Sequence, residues 1–270
     1  MRRAGLVIGS TLVGLIVLAA LVSLLWTPYD PNLVVPAERL QGPSVRHLLG
    51  TDGFGSDIAS RLLVGARTCL LVGIVSVVIA AGIGVPWGMA SAMLRRPWSR
   101  IGARASDLLY AFPALLLAII LAAAVGGSTV TGMIAIGIST VPVFARITRT
   151  ASWQVLSQDY VLAARSSGIG WPAIARTHVL PNIAPLIGVQ ASVAYGMAIL
   201  AEAALSYLGL ATPATVPTWG RMLRDAQTYL FNSPAQTLWP GLAIAAAVMG
   251  FTLLGDGLRD FLDPRLRELR

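Results

Sequence analysis

Acid–base, nucleophilic or metal chemistry needs histidine, cysteine or carboxylate side chains that converge, and this chain offers few. Cys69 is the only cysteine and sits inside an apolar run, so no intrachain disulfide forms. His47 and His178 are far apart in sequence, and neither has metal-ligand spacing to a partner. Asp256, Asp260 and Asp263 lie close together and could be mistaken for a metal site. Arg259, Arg265 and Arg267 are interleaved with them, which makes paired surface charges the better reading. From His47 to Asp57, the Thr51-Asp52 pair with Gly50 and Gly55 nearby is turn chemistry of the Asx type. A Gly-x4-Gly-Lys phosphate loop is absent, since all twenty basic residues are arginine, and neither GxSxG nor HExxH occurs. These absences argue against an ATPase and against catalysis by this chain. Glu202 is the one acid beside the apolar body of a long run. It reads either as a functional group on a pathway or as a side chain reaching for the outer surface.

The elements that must position these residues are apolar runs. The chain has 270 residues, 56% hydrophobic and 12% charged, with mean hydropathy +0.73. Soluble domains carry about 25% charged residues, so a polytopic membrane protein is expected. The arginines sit at the ends of apolar runs and are not massed with aromatics, which argues against nucleic acid. Arg2 and Arg3 precede a run of 22 uncharged residues, Gly5 to Trp26. As a helix it is about 33 Å long, enough to span a bilayer and longer than a signal peptide's core, so it reads as an uncleaved anchor. Further spans are expected near residues 69–93, 108–125 (interrupted at Phe112-Pro113), 129–145, 183–201 and 235–255. Residues 1–68 form the anchor and an outer loop, and residues 69–270 the core with a charged tail. Ala203 to Pro234 is neither clearly spanning nor clearly soluble. With the N-terminus inside, fourteen arginines fall on one side and six on the other. The positive-inside rule then places both termini in the cytoplasm.

Between the fourth and fifth runs lies Tyr160 to Pro181, a polar segment expected to form two short helices. Gly168 and Gly170 punctuate it, and Pro172 suits the first turn of the second helix. Pro181 is expected to stop that helix near Leu180. The arginine count puts this knob in the cytoplasm.

Ala163, Ala164, Gly168, Leu180 and Pro181 fall at the spacing of the EAA loop of ABC-importer permeases. Leu162 stands where that family usually has Glu, and His178 where it has Ile. Four other segments resemble the dipeptide/oligopeptide permeases of the same family. They are His47 to Leu62, with Ser56 replacing the usual Arg, and Asp107-x-x-Tyr110-x-Phe112-Pro113. The third is Glu202 to Leu210 with Trp219-Gly220-x-Met222-Leu223, and the fourth is Gly255 to Arg267.

The resemblance implies an all-α membrane protein of the type I ABC-importer permease fold, with six transmembrane helices and a cytoplasmic coupling-helix loop. It implies a permease subunit of a peptide importer in the bacterial cell membrane, close to the second permease of a dipeptide system. The implied partners are a homologous permease forming a heterodimer, two ATPase subunits, an extracytoplasmic peptide-binding protein and membrane lipid. No cofactor is expected in this subunit, ATP and Mg being held by its partners. Leu162, Ala163, Ala164, Gly168, His178, Leu180 and Pro181 are the expected ATPase-coupling residues. Glu202, Ser206, Tyr207, Leu208, Gly209, Trp219 and Gly220 are the expected pathway or gate residues, on the premise that this segment is too short and broken to span. Nickel, glutathione and haem are alternative cargoes within the family. A secondary transporter would need coupling-ion ligands at mid-membrane and internal repeats, and neither is visible.

Overall fold

A computed structural model describes residues 2–94, 96–213 and 215–262. Arg95 of the expected basic cluster and residues 263–270 of the charged tail lie outside them. Among the described residues the chain is helical, in the order α1 (Arg2–Leu25), α2 (Ile58–Met93), α3 (Arg96–Ala111), α4 (Ala114–Val125), α5 (Thr129–Leu156), α6 (Asp159–Ser166), α7 (Trp171–Ile174), α8 (Leu180–Leu208), α9 (Trp219–Gln227) and α10 (Ala235–Leu262). A short 3₁₀ turn at Pro36–Glu38 and a π-helical turn at Ala175–Val179 complete the order.

Five stretches are long and apolar enough to cross a membrane: Ala4–Leu25, Ile58–Met93, Thr129–Leu156, Trp171–Leu208 and Ala235–Asp260. A sixth apolar stretch is bent, Pro97–Ala111 meeting Leu115–Val125 at 87°. The interruption expected at Phe112-Pro113 is thus a right-angled corner and not a kink. Pro113 cannot donate to a helix, and it biases Phe112 away from helical angles, so α3 stops and α4 starts afresh.

Several expected boundaries move. The second span begins at Ile58, not near Cys69, because Asp57 caps it by accepting from the Ser60 N–H at 2.8 Å. The 68/69 division therefore falls within α2. The fourth span continues past Ala145 to Leu156, starting from Ser128, whose hydroxyl accepts from the Thr131 N–H at 3.0 Å. Pro86, Pro142, Pro185 and Pro240 each lie inside a long helix without ending it, as neighbouring helices in a membrane bundle allow.

α2 is the central post. Its most extensive partner is α5, and the approach is close because Gly84 and Gly88, four residues apart, share a face. A methyl group on Gly84 would stand 2.6 Å from Phe144 Cβ, and one on Gly88 2.7 Å from Thr148 Cβ. On other sides, Tyr195 of α8 donates to the Leu70 carbonyl at 2.6 Å and stacks on Phe251 of α10 at 3.9 Å. Ser192 of α8 donates to the Phe251 carbonyl at 2.8 Å. α1 lies along α10, with Gly9 and Gly250 at the crossing.

Forcing a side chain into the α2–α5 seam should separate the two posts. Gly88→Leu is expected to cost at least about 1–3 kcal/mol of overpacking, read as a lowered melting temperature of the detergent-solubilised protein. Gly82, with open space around it, is the control: Gly82→Leu should change little.

Candidate functional site

The candidate residues occupy opposite ends of one long helix. At the first end, α6 closes at Ser167 and the chain reverses through Gly168, whose φ of +85° favours glycine. The Ile169 N–H bonds the Ala164 carbonyl at 3.2 Å, as in a Schellman turn. α7 follows with Pro172 in its first turn. Pro181, however, does not stop it. The π turn widens the helix and bonds the Leu180 N–H to the Ala175 carbonyl. That widening relieves the clash a proline ring makes with the preceding turn. The Asn182 side-chain amide then donates to the His178 carbonyl at 2.6 Å. Trp171 to Leu208 is consequently one continuous helix, polar at its start and apolar beyond Pro181.

The knob has a dry base and an exposed top. Val161, Ile174, Val179 and Ile183 are buried together with Ala151 and rest on Met89 and Met93. Leu162 is 47% exposed, and Ala163, Gly168, Leu180 and Pro181 are also exposed, while Ala164 and His178 are half-buried. Arg165 lies over the Trp171 ring at 4.2 Å and ties α6 to α7. Tyr160 meets His178 edge-on at 5.8 Å and accepts from the Asn182 amide at 3.2 Å. The site is a preformed surface with apolar and small residues facing outward, and no reacting pair of groups on it.

At the far end, residues 202–208 are the last turns of α8, not a broken segment. The break comes only at Gly209, with φ +79°, where the Leu210 N–H bonds the Leu205 carbonyl at 2.8 Å. Glu202 is 4% exposed and accepts from the Ser206 hydroxyl at 2.6 Å, so the surface-reaching reading is overturned. Ser206 in turn lies 3.2 Å from the Thr212 hydroxyl. Trp219 is buried, donates to the Leu62 carbonyl at 3.0 Å, and lies against Gly65, where a methyl group would come 2.5 Å from its ring. A methyl on Gly220 would stand 2.7 Å from the Ala203 Cα. Trp219 and Gly220 therefore clamp α9 between α2 and α8. Tyr207, Leu208 and Gly209 remain exposed.

A charged network absent from the sequence reading secures this end. Asp52 accepts from the Phe54 and Ser56 N–H groups, as its Asx-turn signal implied, and pairs with buried Arg61. The Arg61 guanidinium also lies 3.9 Å from Asp225 of α9, which accepts from Arg221 at 3.1 Å. His47 Nδ1 donates to Asp57 at 2.9 Å under the Tyr29 ring. Asp52, Asp57 and Arg61 were legible as loop residues, but Asp225 is remote in sequence and no local spacing pairs it. Among the described residues, no group of three or more His, Cys, Asp or Glu side chains could hold a metal ion.

The family described as binding-protein-dependent transport system inner membrane component matches residues 84–268. The dipeptide transport system permease protein DppC of Alkalihalophilus pseudofirmus is 38% identical over 263 residues, 97% of this chain and 86% of its own. The di/tripeptide transport system permease protein DppC of Pseudomonas aeruginosa is 41% identical over 261 residues, 94% of this chain and 86% of its own. The glutathione transport system permease protein GsiD of Pectobacterium atrosepticum is 39% identical over 260 residues, again 94% and 86%.

Removing Arg61 should leave Asp52 uncompensated in a partly dry setting, while Asp225 keeps Arg221. Arg61→Leu is expected to cost about 3–5 kcal/mol, seen as a lower melting temperature in detergent. Adding Asp52→Asn should recover much of that loss, because the Asn side-chain oxygen still accepts from the Phe54 and Ser56 N–H groups and carries no charge.

Proposed function

Because the chain belongs to the binding-protein-dependent transport system inner membrane component family, the permeases of ABC importers, we propose that it carries short peptides inward as half of a heterodimeric pathway. It is a multi-pass membrane protein of that family and works with ATPase and binding-protein partners. A homologous permease supplies the other half, and two ATPase subunits, which hold the ATP and Mg, dock on the knob. The observation that carries this reading is the knob itself. Its outward face combines small residues with exposed Leu162, Ile169 and Trp171, over a buried base that cannot yield. A partner can press on such a surface and move the helix beneath it. The arginine distribution, fourteen to six, supports cytoplasmic termini and a cytoplasmic knob.

Trp171 to Leu208 is 38 residues, about 57 Å at 1.5 Å per residue. One rod thus joins the docking surface to the far end, where Tyr207, Leu208 and Gly209 line the pathway mouth. Glu202, Ser206, Trp219 and Gly220, which are buried, act as the frame that carries them. Dipeptide and di/tripeptide permeases among the relatives support peptide cargo; glutathione is the second reading, favoured by the 39% identical relative named for it.

Gly168→Val should oppose the left-handed turn, since a β-branched residue strongly disfavours positive φ. Ala164→Asp should place a charge at the docking face. Both variants should insert in the membrane and lose ATP-driven peptide uptake, and normal uptake with normal assembly would refute the docking assignment. Leu162→Ala should weaken ATPase docking by about 1–3 kcal/mol, the scale of one buried aliphatic side chain, measured as ATPase retention on the purified permease. At the far end, single cysteines at Tyr207 and Leu208 in a Cys69→Ser background should react with a water-soluble thiol reagent at rates that change with trapped nucleotide. Rates independent of nucleotide would remove these residues from the pathway.

A further inference from the structure

The corner between α3 and α4 leaves a sixteen-residue helix at right angles to the apolar α4. We propose that α3 lies flat in the membrane surface on the knob's side and binds anionic phospholipid headgroups through Arg100 and Arg104.

α3 has three distinct sides. Ala103 and Ser106 are buried against the protein, where the Gly102 carbonyl accepts from the Trp87 indole at 3.2 Å and Ser99 donates to the Ser91 carbonyl at 2.6 Å. Trp98, Ile101, Leu108 and Leu109 form an exposed apolar side. Arg100 and Arg104, four residues apart, share a third side with Asp107, and all three are exposed. An apolar side next to a basic one is the pattern of a helix lying in the interface plane.

The lengths agree with that placement. α4 has twelve residues, about 18 Å, whereas the hydrocarbon core is about 30 Å thick. Of the shortfall of about 12 Å, roughly 5–10 Å is the depth to which an interfacial helix sinks its apolar face, and the corner residues 112–113 cover the rest. A helix bonds its own backbone, so its apolar side can meet acyl chains without orphaned polar groups. The arginine stems can carry their charges outward to the phosphates.

Charge decides the class of lipid. Two guanidinium groups beside one carboxylate suit a headgroup with net negative charge, and each basic residue near an anionic surface contributes about 1 kcal/mol. Trp87 and Ser91, which hold α3, belong to the same turns of α2 as Met89 and Met93 beneath the knob. α3 therefore shares the knob's side. That this is the cytoplasmic leaflet rests on the orientation proposed above; contact with lipid does not.

The complete importer, reconstituted in phosphatidylcholine vesicles with and without phosphatidylglycerol, tests this. Nitroxide labels at Ile101→Cys, Leu108→Cys and Arg104→Cys, in a Cys69→Ser background, report what each side meets. Labels at 101 and 108 should collide with dissolved oxygen and be shielded from a water-soluble nickel chelate, with the reverse at 104. The mole fraction of phosphatidylglycerol giving half-maximal energy transfer from a donor at position 108 to labelled lipid should rise about fivefold for each of Arg100→Gln and Arg104→Gln. Labels at 101 and 108 shielded from both probes would mean that a permease or ATPase partner covers this side, and would overturn the proposal. Exposure of both to the nickel chelate, or unchanged lipid preference in the double variant, would overturn it equally. A quencher confined to the outer leaflet that reaches position 108 would overturn the assigned orientation and leave the lipid contact standing.

Discussion

A backbone in lipid has no water to bond, so each crossing segment must close its own hydrogen bonds and can break only where protein or a boundary covers the break. The positions of the breaks organise this molecule. Pro113 ends a helix, and the chain turns a right angle rather than continuing. Gly209 ends α8, where its left-handed angle lets the Leu210 N–H reach the Leu205 carbonyl. Pro181 would be a third break, but the π turn before it absorbs the missing donor and the ring. Two breaks and one avoided break decide which segments are continuous helices.

The avoided break matters most for mechanism. Without the π turn, the knob would be a separate element hinged to its span. With it, α7 and α8 form one rod whose near end rests on Met89 and Met93 of α2 and whose far end meets α9. A push at the knob need not be relayed through loops. π turns inside helices recur at functional sites, and this one sits between the knob and the apolar part of α8.

The far end is braced by unlike forces. Close approach, through Gly65 and Gly220, seats Trp219 and α9 without a gap. Charge, through Asp52, Arg61 and Asp225, bolts the loop between α1 and α2 to α2 and α9. A partly buried ion network adds little net stability compared with apolar packing but penalises wrong arrangements heavily.

Much of this could be read from residue order. Apolar run length and low charge gave the spans, because a helix rises by a fixed amount per residue. Gly168 gave the reversal in the knob, and Thr51-Asp52 gave the turn, because both act through bonds to near neighbours. What was misread depended on partners distant in the chain. Glu202 looked like a surface-seeking acid until α8 carried it inside, beside Ser206. Pro181 looked like a stop because the π turn that tolerates it has no local composition. The packing of Trp219 and Gly220 against Gly65 and Ala203 was not visible in the residue order, and Asp225 gained its meaning only beside Arg61. Local backbone preferences and run lengths are properties of the sequence by itself. Which side chains meet across helices is settled by packing, and only the tertiary structure decided it.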